Sequence, residues 1–440
     1  MKSADRQFLA AKYTFFTSMH CFQAPRPKSL ALTLTLGVLW YLFFAQSSNQ
    51  SVKPQRNKSD RPLPCSQRPG ANETVVVLKT SVAELEERLP IHFDTTLQCY
   101  PNYLIFSDVN EKYQGYPLLD PLASVSSKIR LSAPDFELWR RVHKSGPDSL
   151  EDEEIWRPEE TMKNLDKWKW LPMLERTWTE YPDAKWYILL ETDTYLFWST
   201  LLSWLKDFDH TQSYYFGSGR WFDGSEYGHA GAGIVLSKTA MEIVVQHYTD
   251  SKVGWERYVA NSEHGDVVLG RVLAQSQTKL SPAWPVLQQD SAASLDFSLR
   301  KNDKRLWCSP AGTYHGLFPG DIAELWKFEQ QWMREKPGRI IRHGDIFSSF
   351  IMPRLLVRSG RVDDWDNYSG DLNIGADDTD VDQCRQTCVD HSSCVQYSFA
   401  DGKCKFSSVP RMGASKRGVQ SRWLLARAQR FADRIEPCPP

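Results

Sequence analysis

An uncharged apolar segment occupies residues 29–45, SLALTLTLGVLWYLFFA, and follows Arg26 and Lys28. Seventeen helical residues reach about 25 Å, the lower limit for crossing the hydrocarbon core of a bilayer. A cleaved signal peptide is the alternative, but its cleavage pattern needs a small residue where Phe43 stands. The segment therefore predicts an uncleaved transmembrane signal anchor, with residues 1–28 as a cytoplasmic tail.

Cysteines and glycosylation sequons indicate the orientation of the chain. Eight of the nine cysteines follow the apolar segment, an even number that suits disulfide bonds in an oxidising lumen. Acceptor tripeptides for N-glycosylation lie on the same side, at Asn49, Asn57, Asn72 and Asn367. This distribution predicts a single-pass type II membrane protein with a lumenal body.

Composition narrows the classes of partner. The 53 basic and 54 acidic side chains leave a net charge of −1, so the chain has no strong field to attract nucleic acid. Its 17 tryptophans suit a protein that stacks on sugar rings, although core packing is the commoner use of an aromatic residue. Residues 46–72 are polar and lack an apolar period, which predicts an unfolded stem.

From residue 73 the pattern changes to short apolar runs separated by helical stretches. The runs Thr74–Leu78, Tyr103–Phe106 and Trp186–Leu190 are typical of buried parallel strands. Residues 161–181 carry apolar side chains at helical spacing, with a break expected near Pro172. This alternation predicts an α/β domain over residues 73–360, with helices packed on a mostly parallel sheet.

The third apolar run leads directly into the acidic sequence Glu191-Thr192-Asp193. In open α/β sheets, ligands bind beyond the carboxyl ends of the strands. Acidic residues after a strand are also common as solvated turn residues. Position alone therefore leaves a functional and a purely structural interpretation open.

Around this motif the chain resembles a known family. The segment AKWYILLETDTYLFW resembles the strand and acidic motif of inverting glycosyltransferases of the GT-A fold, in particular the fungal membrane-anchored branch of the Fringe and core 1 β-1,3-galactosyltransferase family. Further segments agree in order over about residues 74–335: VVLKTSVAELEERLP with Ser107-Asp108, KWKWLPMLERTWTEYPDAKW, GHAGAGIVLSKTAM, HGDVVLG and WCSPAGTYHGLFPGDIAELWKFEQQW. The resemblance implies a Rossmann-like GT-A domain in a Golgi membrane enzyme. Such an enzyme transfers a hexose or N-acetylhexosamine from a UDP-sugar to a glycan or glycoprotein hydroxyl, through a β-1,3 bond.

The resemblance also implies a divalent cation, Mn²⁺ or Mg²⁺, bound by Asp193, Glu191 and His315. A cation that bridges diphosphate oxygens stabilises the charge that develops on the leaving group, and Mn²⁺ accepts both carboxylate and imidazole ligands. Without the resemblance, a single histidine in a glycine-containing loop is more often structural. Thr192 departs from the family motif, which usually has an acidic or small residue there, so two carboxylates remain and reduced activity stays open.

The family's catalytic acidic residue falls at Asp266, which is therefore the predicted base that takes the proton from the acceptor hydroxyl. The plain alternative is a helix N-cap, and the neighbours Glu263 and His264 remain alternative bases. Contacts to the nucleotide or its phosphates are predicted for Lys79, Thr80, Asp108, Lys169 and Thr192, although Lys169 is equally explained as a solvated helix charge.

The stretch His229–Gly233 contains two glycines, but its spacing matches neither the dinucleotide fingerprint nor the P-loop. Small residues here, with Gly231 among them, are predicted to let the backbone approach the transferred sugar. A strand at Ile234–Leu236 and a helix from Lys238 are predicted to follow. Trp221, Phe222 and Tyr227 form the predicted acceptor-binding platform, with core packing as the alternative.

The C-terminal part carries a different motif. The spacing Cys384-x3-Cys388-x5-Cys394-x9-Cys404 resembles a PAN or apple domain at residues 365–425, a small disulfide-rich module that binds protein or carbohydrate. Nested bridges, Cys384 with Cys404 and Cys388 with Cys394, are our hypothesis. A zinc site is disfavoured by the lumenal setting and the lack of paired C-x2-C spacing. Residues 426–440 form the predicted C-terminal tail, and the partners of Cys65, Cys99, Cys308 and Cys438 stay open.

Two functions follow from these observations. The first is a metal-dependent glycosyltransferase. The second is an inactive transferase fold that binds glycans or proteins through the PAN-like module, which the presence of Thr192 favours. Metal-dependent UDP binding and hydrolysis of UDP-sugars discriminate between them.

Overall fold

A computed structural model describes residues 63–150, 158–358, 360–374 and 380–439. One compact unit spans Pro62–Pro440. The predicted tail, the predicted anchor at residues 29–45, most of the predicted stem, Asn49 and Asn57 lie outside the described residues. Within the described ranges, the helices are too short or too polar to cross a bilayer.

A six-stranded sheet forms the centre of the larger domain. Its strands are β1 (Thr74–Lys79), β2 (Asn102–Phe106), β3 (Trp186–Glu191), β4 (Tyr215–Gly217), β5 (Ile234–Ser237) and β6 (Leu280–Pro282). The order across the sheet is β6-β4-β5-β3-β1-β2, and β5 alone of the six runs against the others. The predicted α/β class and the three predicted parallel strands are confirmed.

The central strands are apolar on both faces because each face meets its own layer of helices. Val75 and Val77 of β1 pack into one hydrophobic core, while Val76 and Leu78 point into the other. This division follows from the alternation of side chains along a strand. The carboxyl ends of β1 and β3 therefore lie side by side at one edge, where Lys79 is paired with Glu191.

Helices cover both faces of the sheet. The helices of eight residues or more in the described ranges are α1 (Glu137–Ser145), α2 (Pro158–Asp166), α3 (Trp170–Glu180), α4 (Trp198–Leu205), α5 (Lys238–Asp250), α6 (Lys252–Ala260), α7 (Gly265–Gln275), α8 (Pro319–Glu335), α9 (Val381–Asp390) and α10 (Leu425–Asp433). Shorter α-helical segments are Leu85–Arg88, Pro90–Asp94, Ser127–Ser132, His343–Ile346 and Met352–Leu356. The break predicted near Pro172 falls at residues 167–169, because proline is tolerated in the first turn of α3.

A second, antiparallel sheet lies near the C-terminus. It contains β7 (Val362–Asp366), β8 (Gln396–Ala400), β9 (Lys403–Ser407) and β10 (Ala414–Trp423), in the order β7-β10-β8-β9. The bridges Cys384–Cys404 and Cys388–Cys394 tie α9 to the module and match the nested pairing predicted above.

Residues 426–440 were predicted as a C-terminal tail, but the described part of this range, residues 426–439, is attached to the larger domain. Helix α10 buries Phe431 against Phe347 of the larger domain, with ring centroids 5.3 Å apart. A disulfide bond then joins Cys438 to Cys308. The small module also shares a hydrophobic core with the larger domain, since its Val395 and Trp423 belong to the same buried cluster as Phe347 and Phe431.

The predicted stem also extends too far along the chain. Cys65 is bonded to Cys99, and Ala71 is buried in the core beneath β1. The polar composition of residues 46–72 hid this attachment, because a disulfide bond can fix a segment that buries little apolar surface.

Asn367 lies where a glycan does not fit, which corrects its prediction as a glycosylation site. Its side chain has 0% exposed area, Nδ2 donates to the Tyr397 carbonyl at 3.0 Å, and Oδ1 accepts from Ser369 Oγ at 2.7 Å. Asn72 is exposed. We expect peptide mapping after enzymatic deglycosylation to find the mass change of a removed glycan at Asn72 and an unmodified Asn367. A glycan on Asn367 would contradict this packing.

Candidate active site

A cavity of about 680 Å³ opens at the carboxyl ends of β1 and β3, where an open α/β sheet is expected to bind its ligand. We call it the first cavity. Its charged, polar and aromatic lining consists of Lys79, Ser81, Glu84, Arg88, Lys163, Asn164, Asp166, Lys167, Trp170, Glu191, Thr192, Asp193, His229, Glu263, His264, Asp266 and His315.

Glu191, Asp193 and His315 converge in the first cavity and form what we call the metal triad. Their ligand atoms all lie within 4.8 Å of one another. His315 Nε2 is 3.3 Å from Asp193 Oδ2 and 3.9 Å from Glu191 Oε2. Ligands on opposite sides of one divalent cation are separated by roughly 4–5 Å. The set of two carboxylates and one imidazole therefore fits a single divalent ion.

Short strand pairing brings the histidine to the acidic motif. The segment Tyr195–Leu196 pairs with Thr313–Tyr314, and Leu317 N donates to the Asp193 carbonyl at 3.0 Å. Since His315 lies between these two contacts, it is held beside Asp193 although 122 positions separate the two in sequence (315 − 193).

The orientation of His315 suits a metal ligand. Its Nδ1 lies 3.0 Å from the Gln289 carbonyl, which can only accept, so Nδ1 carries the hydrogen and Nε2 faces the carboxylates. Burial alone would lower the pKa of His315, but Asp193 and Glu191 outweigh it and raise the pKa above its ordinary value. The same negative field would favour a cation in place of the proton.

Lys79 lines the first cavity, as expected of a donor contact, but it already has two partners. Its Nζ lies 2.5 Å from Asp166 Oδ2 and 2.9 Å from Glu191 Oε1. Burial alone would lower the pKa of Lys79, but these carboxylates raise it, so the ammonium stays charged. Lys79 therefore holds one oxygen of Glu191 and leaves the other facing His315.

A further carboxylate, which no sequence motif predicted, lies beside Thr192. The Thr192 hydroxyl donates to Glu84 Oε1 at 3.3 Å, and Glu84 lines the first cavity. Arg88, one helical turn later, places Nη1 3.6 Å from Asp193 Oδ2. Neither residue carries a motif of its own, although both lie in the segment VVLKTSVAELEERLP that supports the resemblance. Glu84 thus adds a third carboxylate beside Glu191 and Asp193 of the motif, despite the threonine at position 192.

Asp266 lies in the first turn of α7 and faces the first cavity. Its Oδ1 accepts from Val267 N at 2.9 Å and its Oδ2 accepts from Ala230 N at 3.0 Å. Burial raises the pKa of Asp266, which brings the carboxylate closer to the range that suits a general base. The residue before the helix is His264, so Asp266 is not the N-cap of the alternative interpretation.

Glu263 and His264 also line the first cavity, but their side chains are mostly exposed, at 74% and 55%. An exposed carboxylate keeps its hydration, so it is a weaker base toward a bound hydroxyl than a desolvated one. The geometry favours Asp266 over both neighbours.

Asp108 and Lys169 do not face the first cavity, which corrects their prediction as nucleotide contacts. They form a fully buried ion pair, with Lys169 Nζ 2.6 Å from Asp108 Oδ1. Lys169 also donates to the Thr80 carbonyl at 2.8 Å, and Asp108 accepts from Ser81 Oγ at 2.6 Å. Thr80 is buried as well. These contacts fix the loop after β1, on which Ser81 and Glu84 reach the cavity.

The aromatic residues of the predicted acceptor platform lie on different faces of one β-hairpin. Trp221 and Phe222 lie on the first strand of a hairpin, Gly219–Phe222 with Ser225–Gly228, and Tyr227 lies on the second. Tyr227 is paired with Arg220, so it occupies the face opposite Trp221 and packs against Gly270 of α7. Because adjacent side chains point to opposite faces, the three aromatic residues do not form one surface.

Gly231 lines the first cavity, and its missing side chain makes room for the metal triad. A Cβ atom built on Gly231 would lie 2.3 Å from His315 Nε2. The glycine-containing stretch therefore serves the placement of the histidine.

Gly231→Ala is expected to displace the His315 ring and lower the affinity for Mn²⁺ by roughly 10–100-fold, the scale of a disturbed ligand environment. Because the clash is with a side-chain ring, the fold should be retained. The matched control is Gly254→Ala, since no atom lies within 4 Å of a Cβ there. Titration of Mn²⁺ into both variants, with circular dichroism for the fold, checks this, and equal Mn²⁺ affinity in both would contradict it.

Comparison with known proteins adds no assignment: neither the protein-family models nor the curated proteins searched contain a match to this chain.

Proposed function

We propose that this chain is a metal-dependent inverting glycosyltransferase. The substrates are a UDP-sugar of the galactose or N-acetylglucosamine class and a hydroxyl group of a glycan or glycoprotein, and the product carries a β-1,3 bond. The observation that carries the proposal is that the metal triad and the partly buried carboxylate of Asp266 face the same cavity at the carboxyl end of the sheet. The ordered motifs of the sequence resemblance support the GT-A assignment.

The roles follow from the contacts of each side chain. Glu191, Asp193 and His315 would hold Mn²⁺ or Mg²⁺, and the mixed oxygen and nitrogen set favours Mn²⁺. The cation supplies positive charge that stabilises the diphosphate leaving group. Lys79 keeps Glu191 oriented through the 2.9 Å ion pair. Lys167 and Arg88 add positive side chains to the same lining.

Asp266 takes the proton of the acceptor hydroxyl. The acceptor oxygen then forms a bond to the anomeric carbon, the bond between that carbon and the diphosphate oxygen breaks, and UDP leaves with the electron pair. Attack from the face opposite the leaving group inverts the configuration. Two backbone N–H groups, from Ala230 and Val267, keep the carboxylate in place throughout.

The proposed setting is the Golgi lumen, with residues 29–45 as a type II anchor. The eight cysteines of the described residues are all paired, which supports an oxidising compartment. The proposal includes a PAN-like module at residues 365–425 that binds protein or carbohydrate.

The experiment is to incubate the purified full-length chain with a panel of UDP-sugars and measure UDP release with Mn²⁺ and with EDTA. We expect release from one or a few UDP-sugars that requires the metal. An absence of metal-dependent release across the panel would overturn the enzyme proposal. Glycan binding without any UDP binding would then favour the inactive, glycan-binding alternative.

A further inference from the structure

A second cavity, of about 400 Å³, lies next to the first and has no role in the chemistry described above. Two tryptophans, Trp221 and Trp284, line it together with the side chains of Glu226, Asp290, Lys301 and Lys304. We propose that this second cavity binds the neutral, hexose-bearing end of the acceptor glycan. The inference rests on the proposed function, because it names the acceptor class for the same reaction.

Gln289 joins the two cavities. Its carbonyl accepts from His315 Nδ1 at 3.0 Å, on the side of the metal triad. Its side chain lines the second cavity, where Nε2 donates to Ser218 Oγ at 2.7 Å and Oε1 accepts from Arg220 Nε at 2.6 Å. One residue thus contacts both the triad and the base of the hairpin that carries Trp221.

Hydrogen bonds also connect the start of this hairpin to the loop that holds Asp266, the proposed base. Ser218, which lines the second cavity, accepts from His229 N at 2.9 Å through its carbonyl. The next residue, Ala230, donates its N–H to Asp266. The second cavity therefore lies beside the loop that holds the base. An acceptor glycan with one sugar in this cavity must extend past the loop to bring its reacting hydroxyl within hydrogen-bond distance of Asp266.

The hairpin presents an aromatic and an acidic side chain on one face. Trp221 and Glu226 are direct cross-strand partners, so both side chains project to the same side. Trp221 is 72% exposed, which is unusual for a residue whose burial is strongly favourable. An indole face beside a carboxylate suits a pyranose ring, whose C–H groups stack on the indole while its hydroxyl groups donate to the carboxylate.

Charge in the second cavity points to a neutral ligand. The two carboxylates, Glu226 and Asp290, are balanced by the two ammonium groups of Lys301 and Lys304. A cavity built for a sialylated or uronic-acid acceptor would carry an excess of positive charge. Neutral hexoses and N-acetylhexosamines remain the class that the lining fits.

The binding test uses saturation-transfer NMR on the full-length chain without any UDP-sugar. The probes are the methyl glycosides of galactose, mannose, N-acetylgalactosamine and N-acetylglucosamine, with methyl glucuronide as the anionic comparison. We expect at least one neutral glycoside to bind, with its affinity lowered roughly five- to tenfold in Trp221→Ala through the lost stacking contact. Phe222→Ala is the matched control, because Phe222 lies on the opposite face near His264 and should leave binding unchanged.

Failure of this inference and failure of the proposed function give different results. If UDP release requires Mn²⁺ but no neutral glycoside binding depends on Trp221, or if the glucuronide binds more tightly, the acceptor assignment is overturned and the enzyme proposal stands. Trp221-dependent binding of a neutral glycoside without metal-dependent UDP release would instead overturn the enzyme and keep a neutral-glycan site. In an active chain, Trp221→Ala should raise the acceptor KM.

Discussion

Asp266→Asn is expected to lower sugar transfer by about 10²–10⁴-fold while UDP and Mn²⁺ still bind, the usual scale for loss of a general base. Asparagine keeps the size of the side chain but cannot take a proton from the acceptor. It can accept from only one of the two N–H groups, those of Ala230 and Val267, so a modest loss of stability is also expected. Calorimetric titration of UDP with Mn²⁺ reports whether the folded site is retained.

The neighbouring residues provide the controls for this result. Glu263→Gln and His264→Asn change exposed groups at the rim of the first cavity and should alter transfer by less than about threefold, the scale of a solvated side chain. Near-normal transfer in Asp266→Asn would exclude this residue as the base. A large loss in either control would then identify the base.

Asp193→Ala is expected to fail in a different way. The substitution removes the carboxylate of Asp193 from the metal triad. Metal-dependent UDP binding and turnover should therefore be lost together, by about 10²-fold or more. His315→Ala should resemble Asp193→Ala more than Asp266→Asn. The reason is that His315 belongs to the same triad, with its Nε2 3.3 Å from Asp193 Oδ2. UDP titrations with Mn²⁺ and with EDTA measure the effect. Equal UDP affinity with and without metal in the wild-type chain would contradict the metal triad.

The local pattern of apolar residues was sufficient to predict the strands that position the candidate active site. The valines of β1 and the run before Glu191 predicted strands buried on both faces, and the strand bounds differ from the prediction by one residue at most. The acidic motif at the end of a buried strand and the glycine-containing loop before β5 could also be located in this way. These features depend on neighbours within a few residues, so the sequence displays them directly.

Residues whose role depends on tertiary contacts were less predictable. Lys169 was predicted as a nucleotide contact or a solvated helix charge, yet it forms a buried ion pair with Asp108, 61 positions earlier. Asn367 has a perfect sequon, but burial beneath Tyr397 and Arg422 depends on the β-strands of the module. No local signal separates these cases from an exposed lysine or asparagine.

Strand periodicity already predicts that Trp221 and Tyr227 lie on different faces of a hairpin. Trp221 and Tyr227 were grouped as one platform because both are aromatic. An alternating hairpin with its turn at residues 223–224 places Trp221 opposite Glu226 and Tyr227 opposite Arg220, on different faces. The carboxylate of Glu84 was missed for another reason, because it reaches Thr192 from a separate loop, 108 positions away.

The most direct test of the metal-dependent site is anomalous diffraction at the manganese edge from crystals of the full-length chain grown with Mn²⁺ and UDP. The expected result is a manganese peak among Glu191, Asp193 and His315, with diphosphate oxygens of UDP completing its coordination and the carboxylate of Asp266 facing the same cavity. A manganese ion and UDP bound elsewhere, or UDP bound in the first cavity with no manganese peak at these three side chains, would contradict the account.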